Sequence, residues 1–197
     1  MGAKIEKARK SGRLRHAGNS QGSSEGGART LLFLFVAPGV VAGLAPWWIS
    51  GWTLRPPFLG FPPFRGIGTI LIAAGVLTIL ESFARFALSG LGTPAPVYPT
   101  RRLVVTGLYR HVRNPMYLGV VTSILGQAVL LGDARLLVYA AVVWTAVHIF
   151  VLAYEEPTLR RTYGAEYEAY CGHVKRWRPR LLPWRAGGDG SPSAGPA

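Results

Sequence analysis

Two polar clusters, set into apolar sequence, hold the residue types that could do chemistry. One is Thr106-Gly-Leu-Tyr-Arg-His-Val-Arg-Asn-Pro-Met-Tyr-Leu-Gly119; the other is the pair Glu155-Glu156. Arg110 and Arg113 lie beside a helix start at Asn114-Pro115. The first N–H groups of a helix have no intrahelical partner, and an arginine fork matches a carboxylate, so this corner suits an anionic group. Paired carboxylates suit hydroxyls, an amine or a cation. With Tyr109, His111 and Tyr117, the two clusters fit a ligand carrying both kinds of charge. A lipid-headgroup site, or helix-end capping with snorkelling arginines, would use the same residues.

The elements that must position these clusters are readable. Asn114 can cap free backbone N–H groups, and Pro115 fits the first helical position, where its missing donor is unused. The apolar run from there ends near Leu131, Gly132-Asp133 forms a turn, and a second apolar helix from about Leu136 to Tyr154 returns to Glu155 and Glu156. Two crossings of similar length bring Arg113, Asn114 and Tyr117 to the carboxylate pair. His148 lies two turns before Glu155 on nearly the same face, as a substrate-side base or a structural hydrogen-bonder. Pro157 should break the helix.

The rest of the chain sets the class. Its 197 residues are 49% hydrophobic, with mean hydropathy +0.25. That is too apolar for an ordinary soluble domain. Four stretches have spanning length: about 31–50, 66–88, 114–131 and 136–155. The expectation is an all-α polytopic membrane protein with about four transmembrane helices and a C-terminal amphipathic cytosolic helix over 157–177. The net charge of +13 lies in segments flanking the spans, where anionic lipid and the positive-inside rule account for it, so no nucleic-acid partner is expected. Lys and Arg counts put both termini in the cytosol, in an inner or plasma membrane. Cys171 is alone, which excludes a disulfide framework, and no metal-ligand spacing occurs.

Residues 1–28 read as a disordered basic cytosolic tail, 29–184 as the membrane domain and 185–197 as a disordered tail. Pro38 and Gly39 should kink the first span. Trp47, Trp48 and Trp52 mark an interface, and the paired prolines of 51–65 imply a surface loop. Glu81 and Arg85, four apart in the second span, read as an ion pair ahead of a substrate role. Tyr163, Tyr167, Tyr170 and Val174 recur at helical spacing as a packing stripe turned at Gly164.

Arg113-Asn-Pro-Met-Tyr-Leu-Gly119, a hydrophobic hairpin and Glu155-Glu156 resemble the signature of the isoprenylcysteine carboxyl methyltransferase and phospholipid methyltransferase group of integral-membrane enzymes. That signature is Arg-His-Pro-x-Tyr-x-Gly followed by Glu-Glu. Leu103-Val-x-x-Gly-x-Tyr109 before it and Tyr163-Gly-x-Glu-Tyr-x-x-Tyr170 after it extend the likeness over about residues 90–180. The resemblance implies S-adenosylmethionine bound in a cytosol-facing pocket by Arg101, Arg102, Leu103, Val104, Tyr109, Arg113, Asn114, Pro115, Met116, Tyr117 and Glu155. Glu156 and His148 are the candidates for catalysis. It further implies methyl transfer to a lipophilic acceptor, a carboxylate or a lipid amine, entering sideways from the bilayer. Two positions depart from the pattern. Asn114 stands where the signature has His, which removes any role for an ionisable imidazole there. Val151 stands where prenylcysteine enzymes place an arginine, which weakens that substrate specifically. From another class, a non-catalytic membrane protein binding lipid headgroups through its basic loops would share the composition.

Overall fold

The computed structural model describes residues 36–88, 103 and 105–185, and these are helical, without a strand. Five helices follow in order: α1 Val36–Ser50, α2 Pro63–Leu88, α3 Pro115–Leu131, α4 Ala134–Tyr163 and α5 Ala165–His173. The first four match the expected apolar stretches, with α2 starting earlier than expected, at Pro63; the helix expected over 157–177 is instead divided between the end of α4 and the short α5. The two terminal tails fall outside the described residues, as do Arg101, Arg102 and Val104. Outward-facing side chains are apolar: Ile70, Leu77, Val138 and Val142 are each at least 61% exposed. In water such stripes would be covered, whereas a hydrocarbon surrounding suits them. α2 and α4 are each long and apolar enough to cross a membrane, and α1 and α3 are shorter apolar helices.

The tightest contact in the bundle is between α2 and α3, and glycine makes it possible. Gly68 and Gly75 on α2 face Gly126 and Gly119 on α3, seven residues apart on each helix. A Cβ at Gly75 would sit 2.6 Å from the Gly119 carbonyl oxygen, and one at Gly126 would sit 2.7 Å from the Ile72 nitrogen. Backbones meet where side chains would otherwise keep them apart, the packing that small residues allow between membrane helices.

Two helices contain a wide π-turn, and each turn ends two residues before a proline. Val40–Leu44 precedes Pro46 in α1, and Val151–Glu155 precedes Pro157 in α4. Proline lacks an N–H and its ring presses on the preceding turn, so an ordinary helix kinks or ends there. The wide turn relieves that pressure. Side chains then take up the released carbonyls. In α1 the Gln127 amide donates to Ala42 O at 2.7 Å and Tyr139 donates to Val41 O at 3.0 Å. The break expected at Pro157 is therefore absent: α4 runs on to Tyr163 and the chain turns at Gly164 (φ +50°). Likewise α1 absorbs Pro38 and Gly39 without ending.

At the opposite end from Glu155, Asp133 caps α4 by accepting from the Arg135 N–H at 3.0 Å. Its buried carboxylate also pairs with the side chains of Arg135 (2.7 Å) and Arg55 (3.4 Å). The Arg55 N–H donates to Leu131 O, so the 51–62 loop is tied to the α3–α4 turn. Hydrogen bonds from Arg135, with the Arg55 charge adding to them, hold the Asp133 carboxyl below its ordinary range against the effect of burial.

Two outcomes follow from this packing. Gly75→Val should destabilise the detergent-solubilised protein by at least about 2 kcal/mol in a thermal melt, because backbone rather than a side chain must move. Asp133→Asn should cost about 2 kcal/mol at neutral pH. A carboxyl held below its unfolded value stabilises above the carboxylate range and loses that contribution as pH falls. The gap in melting temperature between wild type and Asp133→Asn should therefore close on acidification.

Candidate functional site

The two polar clusters meet. The Tyr117 hydroxyl donates to Glu155 Oε2 at 3.0 Å, joining the first turn of α3 to the end of the π-turn in α4. Arg113, just before α3, pairs with Glu156 at 3.2 Å. Consecutive helical residues point about 100° apart, so the neighbouring carboxylates diverge. Glu155 is half-buried and turned toward α3, whereas Glu156 is buried at 2% exposure among arginines.

Both oxygens of Glu156 are taken. Arg176 donates to each, Arg113 reaches Oε1, and Arg160 lies 3.5 Å from Oε2. Glu155 has one oxygen on Tyr117, and Oε1 has no partner among the described residues. Glu156, expected as a candidate for catalysis, is thus spent on arginines, while Glu155 is held by Tyr117 alone among the described residues.

Tyr109 sits on the short turn Gly107–Arg110. Gly107 has φ +55°, and a Cβ there would strike the Glu81–Arg85 ion pair, whose N–O distance is 2.7 Å. That pair, expected from spacing, thus seats the turn bearing Tyr109. Burial first, and then the carboxylates of Glu155 and Glu81, push the Tyr109 phenol well above its usual range, with a hydrogen bond to Ser82 opposing them. The phenol therefore stays protonated. From behind, Tyr170 donates to Tyr109 O at 2.6 Å.

Asn114 is in place but does not cap: its side-chain amide donates instead to Arg176 O at 3.3 Å. Helix α3 begins at Pro115 regardless, leaving its first backbone donors uncapped by this side chain. Met116 packs with Phe83, Ile79 and Tyr117, and Leu103 packs against the Tyr167–Tyr170–Val174–Trp184 cluster. That cluster confirms the aromatic stripe as packing.

His148 accepts at Nδ1 from the Trp177 indole at 3.0 Å and stacks on Trp144. An indole N–H only donates, so Nδ1 carries the lone pair and the ring proton sits on Nε2. Arg176 and Trp177, the partners of Glu156 and His148, fall at the end of the 157–177 stretch expected as a helix, and neither was assigned to the site from sequence. Cys171 Sγ, 2.8 Å from Arg113 Nη1, was missed too. Arg113 Nε is buried without a partner among the described residues.

Beside this corner lies an apolar cavity of about 590 Å³ between α1, α2 and α3. Phe83 and Ile79 line one end, and those two side chains also pack on Met116. Gln127 and Trp52 line the other end, hydrogen-bonded to each other at 3.2 Å.

Among known proteins, the chain is similar to methanethiol S-methyltransferase 1 of Bradyrhizobium diazoefficiens, with 39% identity over 79 residues. That stretch is 40% of this chain and 25% of that protein, so the match spans a quarter of the relative's length. The family model for phospholipid methyltransferase matches residues 64–166, a stretch containing α2, α3, Tyr109, Tyr117 and the Glu155-Glu156 pair. With more than half of its 197 residues matched, and the signature residues in mutual contact, the chain belongs to the phospholipid methyltransferase family.

Proposed function

We propose that the protein is an integral-membrane methyltransferase that uses S-adenosylmethionine to methylate a lipophilic acceptor, a carboxylate or a lipid amine, at the cytosolic membrane face. The observation that carries this reading is the Tyr117–Glu155 hydrogen bond beside the Arg113–Glu156 pair. It joins two motifs that lie far apart in the chain. Helix lengths support the placement: from Ala134 to Glu155 is about 32 Å at 1.5 Å per residue, close to the ~30 Å hydrocarbon thickness. Glu155 then lies at one boundary and Asp133 at the other. The four apolar helices make four crossings, with both termini in the cytosol.

The residues present fit the cofactor. Glu155 Oε1 suits a ribose hydroxyl or an amine. The α3 N-terminus and the unpartnered Arg113 Nε suit a carboxylate. Leu103, Asn114, Pro115 and Met116 belong to the proposed site, and the resemblance assigns Arg101, Arg102 and Val104 to it as well. S-adenosylmethionine supplies a methyl group already activated on a sulfonium. The chain's task is then to hold the reactants in line and exclude water, which can lower the barrier substantially. Tyr117 donates to Glu155, and Tyr109 stays protonated near it. The apolar cavity ending at Phe83 gives the acceptor's lipophilic part room next to Met116.

Glu156 and His148, the two candidates for catalysis, take supporting roles in this reading. Three arginines occupy the Glu156 carboxylate, and Trp177 occupies the His148 lone pair, so neither presents a free base. A carboxylate acceptor needs no base, and a neutral amine needs none for the transfer itself. A second reading is a small thiol acceptor, favoured by the relative's activity on methanethiol. A labelled methyl donor offered with thiols, lipid amines and lipid carboxylates in turn separates these classes.

Glu155→Ala should weaken binding of S-adenosylhomocysteine at least about a hundredfold by calorimetry in detergent, with little change in melting temperature. Unchanged binding would remove Glu155 from the pocket, and a wild type that binds none would favour a headgroup-binding protein. Glu156→Ala should instead lower stability by about 3 kcal/mol, because it leaves Arg113, the most enclosed of the three arginines, without its carboxylate. Tyr117→Phe should weaken cofactor binding about tenfold, the loss of one hydrogen bond to a charged group.

A further inference from the structure

After α5 the chain folds back as a loop, Lys175-Arg-Trp-Arg-Pro-Arg-Leu-Leu-Pro-Trp-Arg185, which mixes cations with apolar residues and holds no acid. Its second half is pinned at two points to the turn that carries Tyr109. The Arg180 N–H donates to His111 O and the Trp184 N–H to Arg110 O, each at 3.0 Å. In return, Arg110 Nε donates to Trp184 O at 2.7 Å and His111 Nδ1 to Arg180 O at 2.8 Å. The Trp184 ring is buried in the cluster of Tyr167, Tyr170 and Val174. Between the two pins stand Leu181 and Leu182, 97% and 74% exposed. The backbone on either side fixes them in that outward position.

What lies next to this tip says what covers it. Pro183 borders one cleft with Leu77 and Thr78 of α2. Leu77 belongs to the apolar surface that α2 turns outward, so the tip adjoins a lipid-facing helix at the Glu155 end of the bundle. Arg178 and Arg185 flank the leucines, exposed and without an ion-pair partner among the described residues. Apolar side chains beside a spanning helix, bordered by unpaired cations, match the boundary between hydrocarbon and anionic headgroups. A soluble partner could cover the leucines but not their continuation along α2.

We propose that the 178–185 loop docks on an anionic lipid surface, with Leu181 and Leu182 in the interface and Arg178 and Arg185 on lipid phosphates. Because the pins end on Arg110 and His111, the same contact steadies the turn that carries Tyr109. The docking goes beyond methyl transfer and rests only on the placement of the helices in a bilayer.

Hydrogen exchange of the full-length protein in nanodiscs holding one copy reads the contact directly, since the Arg180 and Trp184 amides are two of the pins. Discs of phosphatidylcholine are compared with discs of an equimolar mixture of phosphatidylcholine and phosphatidylglycerol. Exchange over 180–184 and 107–111 should be roughly thirtyfold slower in the mixture, the scale of two cations on an anionic surface. Molar salt should erase most of that difference. Arg178→Gln combined with Arg185→Gln should remove the lipid dependence and leave the melting temperature in phosphatidylcholine unchanged. Leu181→Ser combined with Leu182→Ser should speed exchange in both lipids. Equal exchange of wild type in the two lipids, a difference that survives the double arginine variant, or leucine substitutions without effect would overturn the proposal. Protection seen only in discs holding two copies would overturn it as well, in favour of self-association. S-adenosylhomocysteine binding in the same discs tests the methyltransferase reading separately, so either can fail alone.

Discussion

The arrangement depends on one buried charge. Glu156 is almost sealed from solvent and is neutralised by arginines from three places: Arg113 before α3, Arg160 one turn further along α4, and Arg176 after α5. A carboxylate cannot stay buried without such partners. Each partner brings its segment with it. Arg113 fixes the entry to α3, and through it the position of Tyr117. Arg176 brings Trp177 against His148 and leaves its own carbonyl for Asn114. One anion therefore organises the end of the bundle, while its neighbour Glu155 keeps one oxygen without a partner among the described residues.

Around this centre the helices are held by means suited to a medium without water. Apolar side chains gain little from burial when the surroundings are hydrocarbon, so contacts rest on shape and on satisfied backbone. The glycine rows of α2 and α3 supply the first. Gln127 and Tyr139, which take up carbonyls released at the π-turn of α1, supply the second. Gln127 also accepts from Trp52, so a single amide fastens α1, α3 and the following loop.

Much of this was legible in the sequence. Long apolar runs gave the helices, Asn114-Pro115 gave the start of α3, and Gly132-Asp133 gave a hairpin that returns Glu155 to Tyr117. The spacing of Glu81 and Arg85 gave their ion pair. What stayed hidden depended on partners distant in the chain. Arg176 and Trp177 look like any basic juxtamembrane residues until α5 folds back over the α3 entry. The division of labour between Glu155 and Glu156 depends on helix phase, which a two-residue motif does not reveal. Asn114 misled because capping is the commonest use of that side chain at a helix start, and Arg176 O won it here. The glycine rows could have been found, since Gly68/Gly75 and Gly119/Gly126 repeat one interval in two apolar stretches. Pro157 was misjudged because the rule for proline assumes a normal turn ahead of it.

That wide turn has a consequence for how this end of the molecule can vary. It inserts one extra residue into the helical winding, and so it sets the compass bearing of everything downstream relative to Ala134. Removing that residue would swing both carboxylates by roughly a quarter-circle, aiming Glu155 away from α3 and pulling Glu156 from its cations. The proline gives the insertion a reason to persist, because a tightly wound helix would collide with its ring. Pro157 thus acts as a keeper of rotational alignment, holding two neighbouring acidic groups to different partners.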